Sequence, residues 1–96
     1  AGRDRQAVAR ALELLTEATE PLRLERLAAA VGYAPHHFQR LFFREVGVSP
    51  AGWQRARRLS EADRLLSEGA SVTEAMYEAG YSAPSRFYED ASAIGM

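Results

Sequence analysis

One short motif occurs twice in this chain, in nearly the same setting. Val31-Gly32-Tyr33-Ala34-Pro35 is matched by Ala79-Gly80-Tyr81-Ser82-Ala83-Pro84, with the two Gly 48 positions apart and one extra residue in the second turn. Each copy lies between two segments of helical periodicity, and each is followed by an inward Phe. Gly just past a helix end takes the left-handed conformation at little cost, and Pro opens the next helix without needing its N–H. Helix, short Gly-containing turn, helix is the arrangement expected of a helix-turn-helix. The chain is therefore expected to hold two similar helical hairpins and whatever connects them.

Taken in order, Arg3 to Thr19 places Val8, Leu12 and Leu15 on one face with Ala11 beside them, which predicts an amphipathic helix. Pro21 breaks the pattern. Arg23 to Val31 predicts a short, poorly capped helix with Leu24, Leu27, Ala28 and Val31 inward. Ala28 supplies the small side chain that a close helix crossing needs. Pro35 to about Glu45 predicts the next helix, with Phe38, Leu41 and Phe42 buried. Ser49 and Pro50 then start a long helix that runs to Glu68 and is stopped by Gly69: 19 residues, or about 28 Å. Its expected inward stripe is Trp53, Ala56, Leu59 or Ser60, Ala62 or Asp63, and Leu66, with Leu65 widening it, and Gly52 weakens its first turn. Ser71-Val72-Thr73-Glu74 is a capping box for a helix to Ala79 with Val72, Ala75, Met76 and Ala79 inward. Ser85 to about Ala93 predicts the last helix, with Phe87, Ala91 and Ile94 inward. Tyr33 and Tyr81 are expected to pack the two turns with their hydroxyls at the rim.

No strand alternation or low-complexity stretch is present, so the expected fold is all-α. Residues 1–48 make an N-terminal helix plus the first helix-turn-helix. Residues 49–69 make a connecting helix, and residues 70–96 a second helix-turn-helix. The connecting rod is long enough to set the two second helices about one DNA turn apart, roughly 34 Å.

A net charge of −1 argues weakly against a nucleic-acid partner, but the distribution is uneven. Residues 23–58 hold seven Arg against two Glu, net +5, whereas residues 59–96 hold two Arg against seven acids, net −5. The local field, not the sum, governs attraction to a duplex. Every basic side chain is Arg, which suits bidentate contact with phosphate or guanine. There is no Cys, hence no disulfide, thiolate zinc site or Cys nucleophile in this chain. The adjacent His36 and His37 diverge on a helix and lack further ligands, so no metal site is expected. No nucleophile–base pair, carboxylate dyad or Gly-rich phosphate loop appears, so neither catalysis nor a cofactor is expected here. No apolar run approaches the roughly 20 residues of a membrane span, and no signal peptide opens the chain. A cytoplasmic location without a membrane partner is expected. The chain starts at Ala1 without Met and stops at Gly95-Met96 within an apolar pattern, as a monomeric fragment of a longer protein would.

In a helix-turn-helix the second helix enters the major groove. With Phe38, Leu41 and Phe42 buried, His36, His37, Gln39, Arg40 and Arg44 face out. Gln pairs bidentately with adenine and Arg with guanine. Arg44, with Arg55, Arg57 and Arg58 of the rod, would meet phosphates. The second hairpin offers Pro84, Ser85, Arg86, Tyr88, Glu89 and Asp90, a poorer DNA surface because two acids would face phosphates.

Ala28, Gly32-Tyr33, Phe38-Gln39-Arg40-Leu41-Phe42, Gly47-Val48-Ser49-Pro50 and Gly80-Tyr81 together resemble the tandem helix-turn-helix DNA-binding domain of the AraC family, from about Leu22 onward. The resemblance implies two homeodomain-like units, joined by a long helix, that insert into successive major-groove segments. It also implies base contacts at His36, His37, Gln39 and Arg40, and in the second unit between Pro84 and Glu89, where Ser85 and Arg86 are the candidates. The second unit departs from the general pattern: Met76 stands where a small Ala is usual, and Glu89-Asp90-Ala91-Ser92 where a basic segment is usual. These departures, with Ser71 to Tyr81, Ser85 to Glu89 and the final Gly95-Met96, are similar to the Ada branch, adaptive-response regulators that also repair alkylated DNA. Members of that branch carry a zinc-bound Cys methyl acceptor and a second Cys for O6-methylguanine in flanking domains. Neither Cys is in this chain, so the resemblance implies a methyltransferase activity outside it. The family continues with Thr-Pro and a further helix closing the second unit, which is expected to be missing here.

The function expected is sequence-specific binding of double-stranded DNA in a transcription activator of the alkylation response. The acidic second unit would bind DNA weakly, or face a neighbouring domain or RNA polymerase. One alternative is a metabolite-sensing AraC-type regulator or a glycosylase fusion. Another, motivated by the net −5 half, is a helical protein-interaction module that does not bind DNA.

Overall fold

The structure, a computed structural model, describes residues 2–81 and 84–93. It contains α1 (Gly2–Glu17), α2 (Leu24–Val31), α3 (Pro35–Val46), α4 (Pro50–Ser67), α5 (Val72–Glu78) and α6 (Pro84–Ala93), and no strand among the described residues. The fold is all-α. The chain divides into two compact units, Ala1–Gln54 and Arg55–Met96, so the division falls inside α4. The turn expected at Ser82-Ala83 and the inward sides expected of Ala91 and Ile94 lie outside what is described.

The repeated Gly-Tyr pairs end α2 and α5 in the same way. Gly32 has φ 79° and Gly80 has φ 99°, the left-handed region in which a Cβ is strained. The Tyr33 N–H donates to the Ala28 carbonyl at 2.9 Å, and the Tyr81 N–H to the Met76 carbonyl at 2.9 Å. The Gly32 and Gly80 N–H groups donate to Ala29 and Tyr77, both at 3.1 Å. These are paired Schellman closures, which satisfy carbonyls that a helix end otherwise leaves open.

The first unit is built on Val8, Ala11 and Leu15 of α1, Leu27 and Ala28 of α2, and Phe38, Leu41 and Phe42 of α3. Tyr33 and Trp53 pack against this core. Ala28, Phe38 and Phe42 are fully buried. A small residue at Ala28 lets α2 and α3 approach while the two Phe rings, 5.8 Å apart and tilted by 50°, fill the space between helices. Ser49 caps α4 as expected: its hydroxyl accepts from the Gly52 N–H at 3.0 Å. Gln54 makes a contact that periodicity does not reveal. Its side chain accepts from the Leu22 N–H at 2.8 Å and donates to the Leu22 carbonyl at 3.0 Å, fastening the segment before α2 to the start of α4.

The second unit packs Ala62 and Leu65 of α4 against Ala75, Met76, Ala79 and Tyr81, with Phe87 alongside. Two inward assignments change, and so does the expected place of the Tyr81 hydroxyl. Ala56 is exposed, because it lies roughly 120° around the helix from Ala62. Val72 is the first residue of α5, one turn short of Ala75 and Met76, and is 53% exposed. Tyr81 is only 3% exposed, and its hydroxyl is buried instead of standing at the rim. The capping box also differs in its second half. The Ser71 hydroxyl accepts from the Glu74 N–H at 3.1 Å, but its partner contact is side chain to side chain, to Glu74 Oε1 at 3.0 Å.

The buried Tyr81 hydroxyl has no hydrogen bond of good geometry among the described residues. Burial, and then the Asp90 carboxylate, push its pKa up to about 12. In the unfolded chain the group ionises near 10. A raised folded-state value means stability that is intact below pH 10 and lost as pH climbs toward 12. Tyr81→Phe should shrink that alkaline loss and leave stability at pH 7 unchanged or slightly higher, since an unpaired buried hydroxyl is removed. Tyr33, whose bond to Asp4 also raises its pKa, should retain part of the effect. Urea unfolding of both proteins at pH 7 and pH 11 checks this; equal alkaline losses would refute it.

Candidate nucleic-acid interface

Helix α3 divides cleanly. Phe38, Leu41 and Phe42 are buried, and His36, His37, Gln39, Arg40 and Arg44 are all exposed. The division follows from the helical period: the three buried residues span one face, and the polar residues occupy the other. His36, Gln39 and Arg40 have no hydrogen-bond or ionic partner among the described residues. A side chain with no internal partner breaks no contact within the protein when it meets a base edge.

The start of α3 also favours an anion. Its capping position is Ala34, which offers no side-chain cap, and Pro35 follows at the first turn. The Phe38 N–H is taken by the Ala34 carbonyl at 2.9 Å. The backbone N–H groups of His36 and His37 are left at the positive end of the helix, with no acid in the first turn. Such N–H groups are common phosphate donors in protein–DNA contacts.

Asp4 of α1 organises the turn behind this end. Its carboxylate accepts from the Tyr33 hydroxyl, and that bond, chiefly, holds Asp4 below the usual carboxylate range. Arg44 lies 3.8 Å from the same carboxylate, but its side chain is 69% exposed, so the pair is weak. The Tyr33 ring stacks obliquely on His37 at 5.1 Å, with the Arg3 guanidinium 5.8 Å from its centroid. Tyr33 is thus half-buried, with its hydroxyl bonded to the partly exposed Asp4.

The four arginines assigned to phosphates differ. Arg57 is exposed. Arg55 and Arg58 turn toward Asp90 of α6, at 3.5 and 3.2 Å, and that carboxylate is only 15% exposed. Arg58 also lies 5.5 Å from the Tyr81 ring centroid. A phosphate must compete with Asp90 for both. On α6, Ser85 and Arg86 are exposed, with Arg86 3.4 Å from Glu89. Asp90, expected to face phosphates, instead holds Arg55 and Arg58, and no local pattern signals this because Arg58 and Asp90 are 32 positions apart. Phe43 is the residue that sequence reasoning missed: it stands next to the buried Phe42, yet it is 58% exposed on the outer face of α3.

Two helix–turn–helix hairpins, the first with His36, Gln39 and Arg40 exposed and unpartnered on its second helix, define a DNA-binding regulatory segment. A family model described as a helix-turn-helix domain matches residues 27–94. The chain belongs to the AraC-type helix-turn-helix family. It is 43% identical over 93 residues to the regulatory protein Ada of Salmonella typhimurium, covering 93% of this chain and 25% of that protein. It is 40% identical over 83 residues to the bifunctional transcriptional activator/DNA repair enzyme Ada of Escherichia coli, covering 85% of this chain and 23% of that one. It is 34% identical over 88 residues to the HTH-type transcriptional regulator GlxA of Rhizobium meliloti, covering 90% and 27%. The chain therefore spans about a quarter of the length of these relatives. No solved structure matches it. No helix among the described residues is long and apolar enough to cross a membrane.

Proposed function

We propose that this chain reads double-stranded DNA as the regulatory segment of an Ada-type transcription activator. The observation that carries the reading is the outer face of α3, where His36, Gln39 and Arg40 stand exposed and unpartnered beside an open helix start. In this reading Gln39 and Arg40 contact base edges, with His36 and His37 beside them, while Arg44 and Arg57 neutralise phosphates. The second unit contributes less. Its Arg86 is shared with Glu89, and Arg55 and Arg58 are held by Asp90. Its acidic surface suits a neighbouring domain or RNA polymerase better than a phosphate backbone. The likeness to Ada proteins supports a parent that couples this segment to DNA repair, with the methyl-transfer chemistry in other domains.

A salt series on a duplex pool tests the reading. The logarithm of the affinity should fall linearly with log salt, with a slope near −0.9 for each phosphate neutralised. In Asp90→Asn, which releases Arg55 and Arg58, the slope should steepen by about 1 to 2. No salt-sensitive duplex binding in the wild type would overturn the reading in favour of a protein-interaction module. An unchanged slope in Asp90→Asn would take Arg55 and Arg58 out of the phosphate set.

A further inference from the structure

Phe43 is 58% exposed, in a helix whose other two Phe are fully buried. Counted at 3.6 residues per turn, Phe43, His36 and Arg40 all lie within roughly 40° of the direction opposite the buried stripe. Phe43 is three residues past Arg40 and four past Gln39, so its Cβ neighbours both. Helical side chains lean toward the N-terminus, which brings the ring back over the Gln39–Arg40 turn. An aromatic ring at the far end of a polar reading face serves neither the core nor solubility. In the major groove the apolar feature that distinguishes one base is the thymine C5 methyl, and Phe is among the side chains that contact it.

We infer that Phe43 is a specificity-determining residue that reads a thymine methyl next to the bases contacted by Gln39 and Arg40. The inference rests on the DNA-reading function proposed above and adds to it the base class that α3 selects at its far end. Arg40 and Gln39 supply directional hydrogen bonds; Phe43 supplies a non-directional contact that rejects cytosine and uracil by the absence of a methyl.

The test uses the duplex recovered by this chain from a random-sequence pool, with each thymine of the selected site replaced in turn by uracil, which pairs identically but lacks the methyl. For the wild type, one replacement should weaken binding about fourfold, the ratio that one buried methyl is worth. Phe43→Ala should bind the thymine and uracil duplexes equally, and Phe43→Leu should restore part of the difference. Phe43→Ala should keep the wild-type unfolding midpoint, because the ring is not in the core. Binding with no uracil-sensitive position, or a fourfold difference that persists in Phe43→Ala, would overturn the assignment while leaving the DNA-reading function standing. Failure to recover any duplex would sink that function, and the assignment with it.

Discussion

Phe38→Ala is expected to unfold the first unit. Phe38 is fully buried, packs on Phe42 at 5.8 Å between ring centroids, and joins α3 to α1 and α2 in one core. Truncating a buried Phe to Ala costs about 3–5 kcal/mol, from lost transfer energy plus the cavity left behind. A unit of this size is stable by only about 3–8 kcal/mol in total, at the usual 0.05–0.15 kcal/mol per residue. The loss takes most of that margin, so the first unit should be marginal or unfolded at ambient temperature. Circular dichroism on heating should show a reduced helical signal or a midpoint lowered by well over ten degrees, and duplex binding should vanish with it. Phe43→Ala, on the same helix but exposed, is the control and should shift stability by no more than about 0.5 kcal/mol. A Phe38→Ala protein that melts within a few degrees of wild type would show that α3 is not held as described.

Arg40→Ala should separate binding from folding. Arg40 is exposed and has no partner among the described residues, so stability should stay within about 0.5 kcal/mol of wild type. A bidentate Arg–guanine contact discriminates by about 1–3 kcal/mol, so affinity for the selected duplex should fall between roughly fivefold and a hundredfold. The pattern of loss matters as much as its size. A base contact predicts relaxed preference at one position and little change in salt slope. A phosphate contact predicts uniform weakening and a slope shallower by about 1. Arg40→Lys keeps the charge but not the planar fork, so it should leave the base preference lost. Wild-type affinity in Arg40→Ala would remove α3 from the interface as proposed.

The helices and the buried face of α3 were legible because they depend on local rules. Gly32 and Gly80 stop helices through their own backbone freedom, and Ser49 and Ser71 cap through contacts three residues away. The 3.6-residue period alone separates Phe38, Leu41 and Phe42 from Gln39 and Arg40. Ala56 and Val72 failed because periodicity gives a direction but not what stands there. Ala56 points away from the second core, and Val72 lies at the end of its helix. The charge asymmetry was legible as a sum, but it did not show which arginines are already engaged. Asp90 holds Arg55 and Arg58 from another helix, and Asp4 reaches Tyr33 and Arg44 in the same way.

From its order of residues alone, this chain was committed to two Gly-Tyr helical hairpins and to a polar outer face on α3. Those properties arise within a few residues of one another, where backbone preference and helical period act directly. The tertiary structure decided which polar groups are spent internally and which remain for a partner. It buried the Tyr81 hydroxyl, tied Gln54 to Leu22, set Asp90 against two arginines, and left Phe43, Gln39 and Arg40 uncovered. The reason is distance: an ion pair or a cap between positions about 30 apart exists only after separate helices have packed, and no local pattern records it.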